Sequence, residues 1–531
     1  MVKSAVPLHH VHDFKLTSQT KHDNPFRVRL TATFTDKAGR QIRNLPGFYD
    51  GGKTWKIRFC PTTMGEWTGR TRSNDPAMDD IELPAVVCVP NRNPNVRGLV
   101  SLDPHHRHRL MWADGTPYVP LGFELDWLAA FHQRLGQPKG KPVDPKKDRF
   151  TPALDLLVKR GFNYLVSNVY AYSRFSDPSE PYAYTPPDLY PFGGTNDEPD
   201  HSVLNVKFFQ DFDQAIAAAH RRGIVVDLMI QVQNKAVKWP ARFSADDDAY
   251  WRYVLARYQA YGNIIWDVSK ESFNLARAAP AQGYVFNRIE MIRRHDAYGH
   301  IVTAHDPEIH SQGRNSPVDD VCDLVSDQIH LYTGYSDAEV VEAARTYNRE
   351  AIRRFRLADK PYINIEFGYE RGAEPTKTID NNGVRPGKDL LIWSYALYAG
   401  GAYANYYYNN TSWNLVKFSP EPKSWRQFRY LRDWLDMMDL APMAPDNEFA
   451  RHGMCLAEPG RQYYVFLPEG GDEVLDLACA HGARKITATW MDIYTGKRVQ
   501  AKVSQPQFAT PLANPLSDTS SPCALYVMVE H

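Results

Sequence analysis

The chain has 531 residues, which is enough for more than one domain and for a large core. Lys plus Arg and Asp plus Glu number 62 each, so the formal net charge is zero and no basic excess exists to meet nucleic-acid phosphates or an acidic membrane. Aromatic residues form 12% of the chain, a share that suits sugar binding and equally suits an ordinary large core.

The cysteines and the N-terminal segment indicate the cellular compartment in which the protein is expected. The six cysteines are scattered and form no C-x-x-C pair, which favours free thiols over a disulfide framework. Residues 1–14 lack an apolar core, and the chain contains no apolar run long enough to span a bilayer. We therefore expect a cytoplasmic protein with no membrane partner.

Residues 1–92 show the alternation of a half-buried sheet. In "FRVRLTATFTDKAGRQI" the apolar residues Phe26, Val28 and Leu30 recur at every second position. Turn-forming residues at 50–52 and at Pro61 separate the strand-like runs. The pattern predicts an N-terminal antiparallel β-sandwich domain, followed by a linker rich in Pro and Asn at 90–98.

Residues 93–440 alternate between apolar strands and amphipathic helices. In "KFFQDFDQAIAAAHRRG" apolar residues recur at helical spacing before Gly223, and "AYWRYVLARYQAYG" repeats this before Gly262. The eight candidate strands are 118–123, 162–168, 224–230, 263–268, 301–305, 324–330, 362–366 and 402–408. This rhythm predicts an α/β fold, a (β/α)8 TIM barrel whose fifth and sixth strands are joined by only a short helix.

Residues 441–531 return to alternation in "RQYYVFLPEG", "KITATWMDIYTG" and "CALYVMVEH". They predict a C-terminal antiparallel β-sandwich domain.

Two glutamates stand where buried strands of the predicted barrel end. Glu271 follows "IIWDVSK" after strand four, and Glu366 lies in "YINIEFG" at strand seven. The functional residues of such barrels lie at the carboxyl ends of the strands, so the two side chains are expected to converge. Glycoside hydrolysis needs such a pair: one carboxyl protonates the leaving oxygen, and the other attacks the anomeric carbon or activates water. The alternative for each glutamate alone is a salt-bridge partner or a solvated surface group.

Further polar and aromatic residues occupy the same strand ends as candidate sugar-binding groups. Each has a structural alternative: a pair with Arg or Lys for the acids, a core position for the histidine, and rim or lid positions for the aromatic residues. The candidates are Glu124, Asp126, Asn168, Lys270, His330, Tyr332 and Trp413. Tyr332 is a candidate donor to a nucleophilic carboxylate, and Trp413 a platform beneath a sugar ring.

Several motifs resemble known domains. "GFYDGGKTWKIRFCPTTMGEWTGRTRSN" resembles a domain of unknown function found ahead of some sugar-cleaving barrels. "PYVPLGFELDWL" followed by "GFNYLVSNVY" is similar to the apiosidase-like barrel family of glycoside hydrolase clan A, and "TATWMDIYTGK" resembles a collagen-binding-type β-domain that follows that barrel.

The resemblance implies a retaining glycoside hydrolase. It implies that Glu271 is the acid/base and Glu366 the nucleophile, with Tyr332 and Trp413 matching the tyrosine and tryptophan of the clan. The sequence departs from the clan at Lys270, where an asparagine commonly holds the 2-hydroxyl of the substrate. Lysine is longer and charged, so either it contacts the sugar differently or Asn168 takes over this contact.

The sequence therefore predicts a glycosidase that acts on an oligosaccharide or glycoside, in the setting of polysaccharide degradation, with no cofactor, no metal and no nucleic-acid partner. A furanose-type sugar and a homo-oligomer are compatible with it. A non-catalytic sugar-binding barrel is the first alternative. A metal-dependent hydrolase or lyase that uses His305, Asp306, His310 and His330 is the second.

Overall fold

The computed structural model describes residues 3–126, 150–171, 189–233, 236–276, 283–306, 316–331, 336–372, 384–411, 418, 421–503 and 506–531. Within these ranges the chain forms an N-terminal sheet, a barrel of parallel strands with helices around it, and a C-terminal sheet. None of the helices described has the length and apolar character that crossing a bilayer requires.

The N-terminal sheet has seven strands in the order β1-β7-β6-β3-β4-β5-β2. They are β1 Ser4–Pro7, β2 His12–Thr17, β3 Leu30–Asp36, β4 Gln41–Tyr49, β5 Thr54–Phe59, β6 Gly65–Ser73 and β7 Glu82–Val89. Strand β4 pairs with β3 through its first half and with β5 through its last three residues, so the sheet bends there. The bend encloses an aromatic core in which the rings of Phe34 and Phe59 stack with centroids 4.1 Å apart. Three short antiparallel strands lead into the barrel: β8 Val100–Leu102, β9 Leu110–Trp112 and β10 Pro117–Tyr118.

Eight parallel strands form the barrel, in the order β17-β16-β15-β12-β11-β22-β19-β18. In chain order they are β11 Leu121–Glu124, β12 Tyr164–Asn168, β15 Val225–Val232, β16 Ile264–Lys270, β17 Val302–Thr303, β18 Val325–Asp327, β19 Tyr362–Asn364 and β22 Tyr403–Tyr407. Each overlaps one of the eight strands predicted from the sequence. All their residues are buried, as expected for parallel strands covered on both faces.

The two edge strands of this sheet are brought together by backbone hydrogen bonds. Asp323 N–H donates to Val302 O over 2.8 Å, and Asp306 N–H donates to Ser326 O over 2.8 Å. The sheet therefore curls into a nearly closed barrel, and the carboxyl ends of its strands meet at one mouth.

Helices connect the barrel strands and cover the barrel. They are α1 Phe150–Lys159, α2 Val206–Arg221, α3 Ala245–Tyr258, α4 Phe273–Ala276, α5 Tyr284–His295, α6 Pro317–Val321, α7 Asp337–Ala358, α8 Gly387–Ala399 and α9 Lys423–Leu435. Their starts follow sequence signals: Ser244 caps α3, and Ser336 with Glu339 forms a capping box on α7. Helix α6 has only five residues, as the weak fifth connection predicted. Two small strand pairs, β13 Phe192–Gly194 with β14 Pro199–Leu204 and β20 Tyr369–Glu370 with β21 Val384–Arg385, lie in the connections.

The C-terminal sheet has six strands in the order β23-β24-β25-β30-β27-β28, with a separate pair β26-β29. They are β23 Ala444–Pro445, β24 Met454–Glu458, β25 Gln462–Leu467, β26 Glu473–Leu475, β27 Lys485–Asp492, β28 Arg498–Lys502, β29 Thr510–Leu512 and β30 Cys523–Glu530. One face packs on α8, where Tyr464 OH donates to Tyr395 O and the ring of Phe466 stacks on that of Tyr395. The description of both flanking sheets as β-sandwich domains, with boundaries at 92 and 440, stays a prediction.

Charged groups tie the N-terminal sheet to the barrel. Asp213 of α2 accepts hydrogen bonds from Arg58 of β5 and from Arg257 of α3, at 2.8–3.2 Å. Arg257 also reaches Asp50, and its guanidinium lies 4.6 Å from the ring centroid of Phe48. Both arginines are almost completely buried, so the network fixes the sheet against the outside of the barrel.

Candidate active site

Glu366 lies two residues beyond β19 and is 1% exposed. Three side chains donate to or closely approach its Oε1: Gln328 Nε2 at 3.1 Å, His330 Nε2 at 3.4 Å, and the hydroxyl of Tyr369, which forms a hydrogen bond. Lys270 Nζ donates to its other oxygen, Oε2, at 3.0 Å. The carboxylate is therefore held in one orientation by groups from the fourth and sixth barrel strands and from the segment after the seventh.

These neighbours keep Glu366 ionised. Burial alone would raise its pKa, but the ammonium of Lys270 and the hydrogen bond from His330 hold the pKa well below the ordinary value. A buried carboxylate that stays charged and oriented is the form that a nucleophile requires.

Lys270 ends strand β16 and points into the barrel. Its ammonium donates to Oε1 of Glu124 and to Oε2 of Glu366, and lies 3.8 Å from Asp126 Oδ1. The nitrogen is also 5.2 Å from the ring centroid of Tyr407. Burial disfavours the charged form, yet the carboxylates of Glu124 and Glu366 raise the pKa of Lys270 well above its usual value, so it is a cation.

Glu124 is the last residue of β11, the first barrel strand, and Asp126 lies two residues beyond it; both are completely buried. Burial raises the pKa of Glu124 well above the ordinary value despite the ammonium of Lys270, since one cation cannot balance two buried carboxylates. Asp126 accepts from Tyr407 OH at 2.7 Å through Oδ2 and from Asn168 Nδ2 at 3.1 Å through Oδ1. Both acids thus meet protein donors, and their role as sugar-binding groups stays a prediction.

Glu271 stands one residue beyond β16 and is half-buried. Its backbone adopts φ +47°, a left-handed conformation that is uncommon outside glycine. The next peptide is fixed by Ser272 N–H, which donates to His305 O over 2.7 Å, and Asn274 Nδ2 donates to Glu271 Oε2 over 3.2 Å. The turn directs the chain away from the strand into α4 and leaves the carboxyl at the mouth.

Asp306 and His305 follow strand five, beside Glu271. Burial, together with the charges of Asp327 and Glu271, raises the pKa of Asp306 to about 9, so it is a neutral acid at pH 7. Burial and the cation of Lys270 lower the pKa of His305 to about 3. His305 is therefore neutral, and its Nε2 lies 3.1 Å from Oε1 of Gln328, the residue whose amide donates to Glu366.

Those of the predicted site residues that the structure describes gather at one end of the barrel. Lys270 and His330 contact Glu366 directly, whereas Asn168 donates to Asp126. The ammonium of Lys270 points to Glu124 and Glu366. Tyr332 and Trp413 lie outside the described residues.

Three contributors were missed at the sequence level: Gln328, Tyr369 and Tyr407. Gln328 directly follows β18 and Tyr369 lies three residues after Glu366, so both were visible as polar groups beside a strand end. Tyr407 lies inside the run "YYYNN", which reads equally well as core.

The residues described contain no group of three His, Cys, Asp or Glu side chains that could hold a metal ion. His310, one of the four residues of the metal-dependent alternative, lies outside the described ranges.

Comparison with known families matches residues 144–454, more than half of the chain, to the apiosidase-like catalytic domain. Residues 5–74 match a domain of unknown function designated DUF5060. No curated protein matches the chain.

Solved structures share the fold at low identity. A crystal structure from Bacteroides vulgatus, assigned provisionally as a glycoside hydrolase, is 19% identical with a TM-score of 0.76 and covers 99% of this chain and 100% of its own. A glycoside hydrolase of family 5 from the same species is 18% identical with a TM-score of 0.59, covering 82% and 93%. A further glycoside hydrolase is 17% identical with a TM-score of 0.58, covering 82% and 98%.

The parallel barrel and the family match define the class of this protein: it is a glycoside hydrolase, and its substrate is a carbohydrate. More particularly, the chain belongs to the apiosidase-like catalytic domain family.

Proposed function

We propose that the protein is a retaining glycosidase in which Glu366 is the nucleophile and Glu271 the acid/base. The observation that carries the proposal is the setting of Glu366: a buried carboxylate, kept ionised by Lys270 and oriented by Gln328 and Tyr369. Such a group is ready to attack an anomeric carbon without prior deprotonation.

The role of Glu271 is supported by its position. It is more exposed than Glu366, as suits a group that exchanges a proton with a leaving oxygen and then with water. The charges of Glu271 and Glu366 both raise the pKa of the Tyr369 phenol, and both raise the pKa of the Asp306 carboxyl. This shared effect supports a position of the two glutamates on the same cavity at the mouth of the barrel.

The chemistry then has two steps. Glu366 forms a bond to the anomeric carbon while the glycosidic C–O bond breaks, and Glu271 gives its proton to the departing oxygen. In the second step Glu271 takes a proton from water, the water oxygen attacks the anomeric carbon, and Glu366 leaves as a carboxylate. Retention of configuration follows from the two inversions.

The finer assignments belong to the same proposal: clan A, a role in polysaccharide degradation, and a furanose-type sugar at the site. His330 and Lys270 are candidate contacts of that sugar, together with Tyr332 and Trp413. The apiosidase-like family supports testing furanosides first.

The test uses wild type, Glu366→Gln and Glu271→Gln on a panel of aryl furanosides and pyranosides. We expect loss of roughly 1000-fold or more in kcat for Glu366→Gln, with azide restoring turnover of activated substrates by Glu271→Gln. NMR of the first-formed anomer reports retention, and mass spectrometry with a 2-fluoro sugar reports the labelled residue. Wild-type-like activity in Glu366→Gln would refute the assignment. Sugar binding by calorimetry without cleavage by the wild type would favour the non-catalytic alternative.

A further inference from the structure

We propose that Glu124 is the anchor of Lys270 rather than a ligand of the sugar, and that the two together form a positioning unit for Glu366. This inference rests on the proposed function, because it assigns a task to the nucleophile. It also assigns Glu124 a role different from the sugar-binding role that its strand-end position predicted.

The burial of Glu124 is the first observation. Its side chain is 0% exposed, and its two oxygens face Lys270 Nζ and, at 3.5 Å, Asn405 Nδ2. Asn405 is itself fixed, because it donates to Ile365 O over 2.7 Å. Gly122 makes room for it: a Cβ at this position would lie 2.2 Å from Asn405 Oδ1. A carboxyl enclosed in this way has no open side for a hydroxyl group.

The geometry of Lys270 is the second observation. A lysine side chain rotates freely about four bonds, so a lone ammonium beside a carboxylate has no fixed direction. Here the nitrogen is bound by Glu124 from strand one and by Glu366 from strand seven. The ring of Tyr407 covers it at 5.2 Å. Contacts from two strands fix where the positive charge lies relative to the nucleophile.

The charge balance is the third observation. Burial raises the pKa of Glu124 well above its usual value, and its Oε1 still accepts a hydrogen bond from the Lys270 ammonium. The same ammonium holds the pKa of Glu366 well below its usual value. Glu124 thus holds the cation in place while Glu366 receives its electrostatic effect.

Other charged and titratable groups also face this unit, and any pH effect must be read against them. Those near Glu366 or Lys270 are Asp126, Asp267, Glu271, His305, Asp306, His330, Tyr369 and Tyr407.

The test is a double-mutant cycle of Glu124→Ala and Lys270→Gln, measured as kcat and KM across pH. For Lys270→Gln we expect a loss of about 100-fold in kcat at neutral pH, in the range found when a preorganised charge partner is removed. The acidic limb of its pH–rate profile should move to higher pH by about one unit or more, because the pKa of Glu366 rises when the cation of Lys270 is removed. Glu124→Ala should lower kcat about tenfold and move the limb in the same direction with KM unchanged. In the Lys270→Gln background Glu124→Ala should change little.

Glu124→Gln is the conservative rescue. The amide oxygen keeps an acceptor for the ammonium at the same place, so we expect activity within about threefold of wild type. The matched control is the exposed pair Lys388 and Asp337, 2.9 Å apart, whose Lys388→Gln and Asp337→Ala effects should be negligible and additive.

Several outcomes would overturn the proposal. A rise in KM for Glu124→Ala that persists in the Lys270→Gln background would show that Glu124 binds the sugar. Fully additive effects of the two substitutions on kcat would show that Glu124 and Lys270 do not act together. The melting temperatures of the same four proteins should show coupling without any substrate. Full activity of Glu366→Gln would refute the proposed function. If Glu366→Gln is inactive but the effects of Glu124→Ala and Lys270→Gln are additive, only the present inference is refuted.

Discussion

The hydroxyl of Tyr369 donates a hydrogen bond to Oε1 of Glu366, three residues earlier in the chain. Strand β19 ends before Glu366, and the short strand β20 begins with Tyr369 and runs on in the same direction, with Glu370 in a parallel bridge to Tyr408 just beyond β22. This continuation places the phenol within hydrogen-bonding distance of the carboxylate. The nucleophile proposed here is thus oriented partly by its own strand end.

Removing this donor should weaken the nucleophile. A hydrogen bond to a charged group contributes about 1.5–3 kcal/mol, so Tyr369→Phe should lower kcat/KM roughly 10- to 100-fold. The bond favours the ionised carboxylate, so its loss should raise the pKa of Glu366 and move the acidic limb of the pH–rate profile upward. Tyr395→Phe is the control, since this buried hydroxyl on α8 has no hydrogen-bond partner among the described residues and lies against the C-terminal sheet. An unmoved limb in Tyr369→Phe would contradict the expectation.

Asp306 should act as a neutral acid at pH 7. Because its pKa is raised to about 9, Asp306→Asn replaces one neutral group by another and should leave activity near neutrality within about threefold. Above about pH 9 the wild-type carboxyl ionises beside Glu271, and the wild-type rate should fall while that of the variant persists. Initial rates from neutral to alkaline pH check this. Parallel alkaline limbs in the two proteins would show that Asp306 does not titrate there.

Asp227 should make the protein less stable as the pH rises through neutrality. It lies inside β15 and accepts a hydrogen bond from Tyr164 OH, and burial raises its pKa from 3.8 to about 7. The folded state therefore holds a proton that the unfolded chain has lost. The stabilisation is complete below the unfolded pKa and is lost as the pH rises towards 7, by up to about 4 kcal/mol.

Urea unfolding at about pH 5 and pH 8 measures this loss, which should be smaller in Asp227→Asn. Asp80→Asn serves as control, because the pKa of this exposed carboxyl is lowered to about 2 and its ionisation does not change in that window. An equal loss in wild type and Asp227→Asn would show that the buried acid does not hold its proton.

Asp213 should be a stability determinant of the contact between the N-terminal sheet and the barrel. Asp213→Asn leaves Arg58 and Arg257 buried beside a neutral amide, and breaking such a network typically costs about 3–5 kcal/mol. Urea unfolding and limited proteolysis report the effect. Asp155→Asn, which removes the exposed partner of Arg222, should change stability by less than about 1 kcal/mol. Equal effects of the two variants would argue against a special role for the interface.

The barrel was predictable because its signals are local. Alternation of apolar runs with helical periodicity identified all eight strands, and capping residues such as Ser244 marked helix starts. The ends of the strands were predicted less accurately. The fifth strand was predicted over 301–305, whereas β17 covers only Val302–Thr303. Its ends depend on hydrogen bonds across the closing edge of the barrel, which a local pattern does not contain.

The sequence by itself determined that five charged residues lie at the ends of barrel strands, because strand position is encoded in neighbouring residues: Glu124, Asp126, Lys270, Glu271 and Glu366. Only the tertiary structure decided what these groups touch. Lys270 precedes Glu271 in the chain, yet its ammonium meets Glu124 and Glu366, which lie 146 and 96 residues away. Such contacts depend on barrel closure, which brings the ends of strands one, four and seven together at one mouth. No local sequence pattern predicts which carboxylate the long, flexible side chain of a lysine will bind.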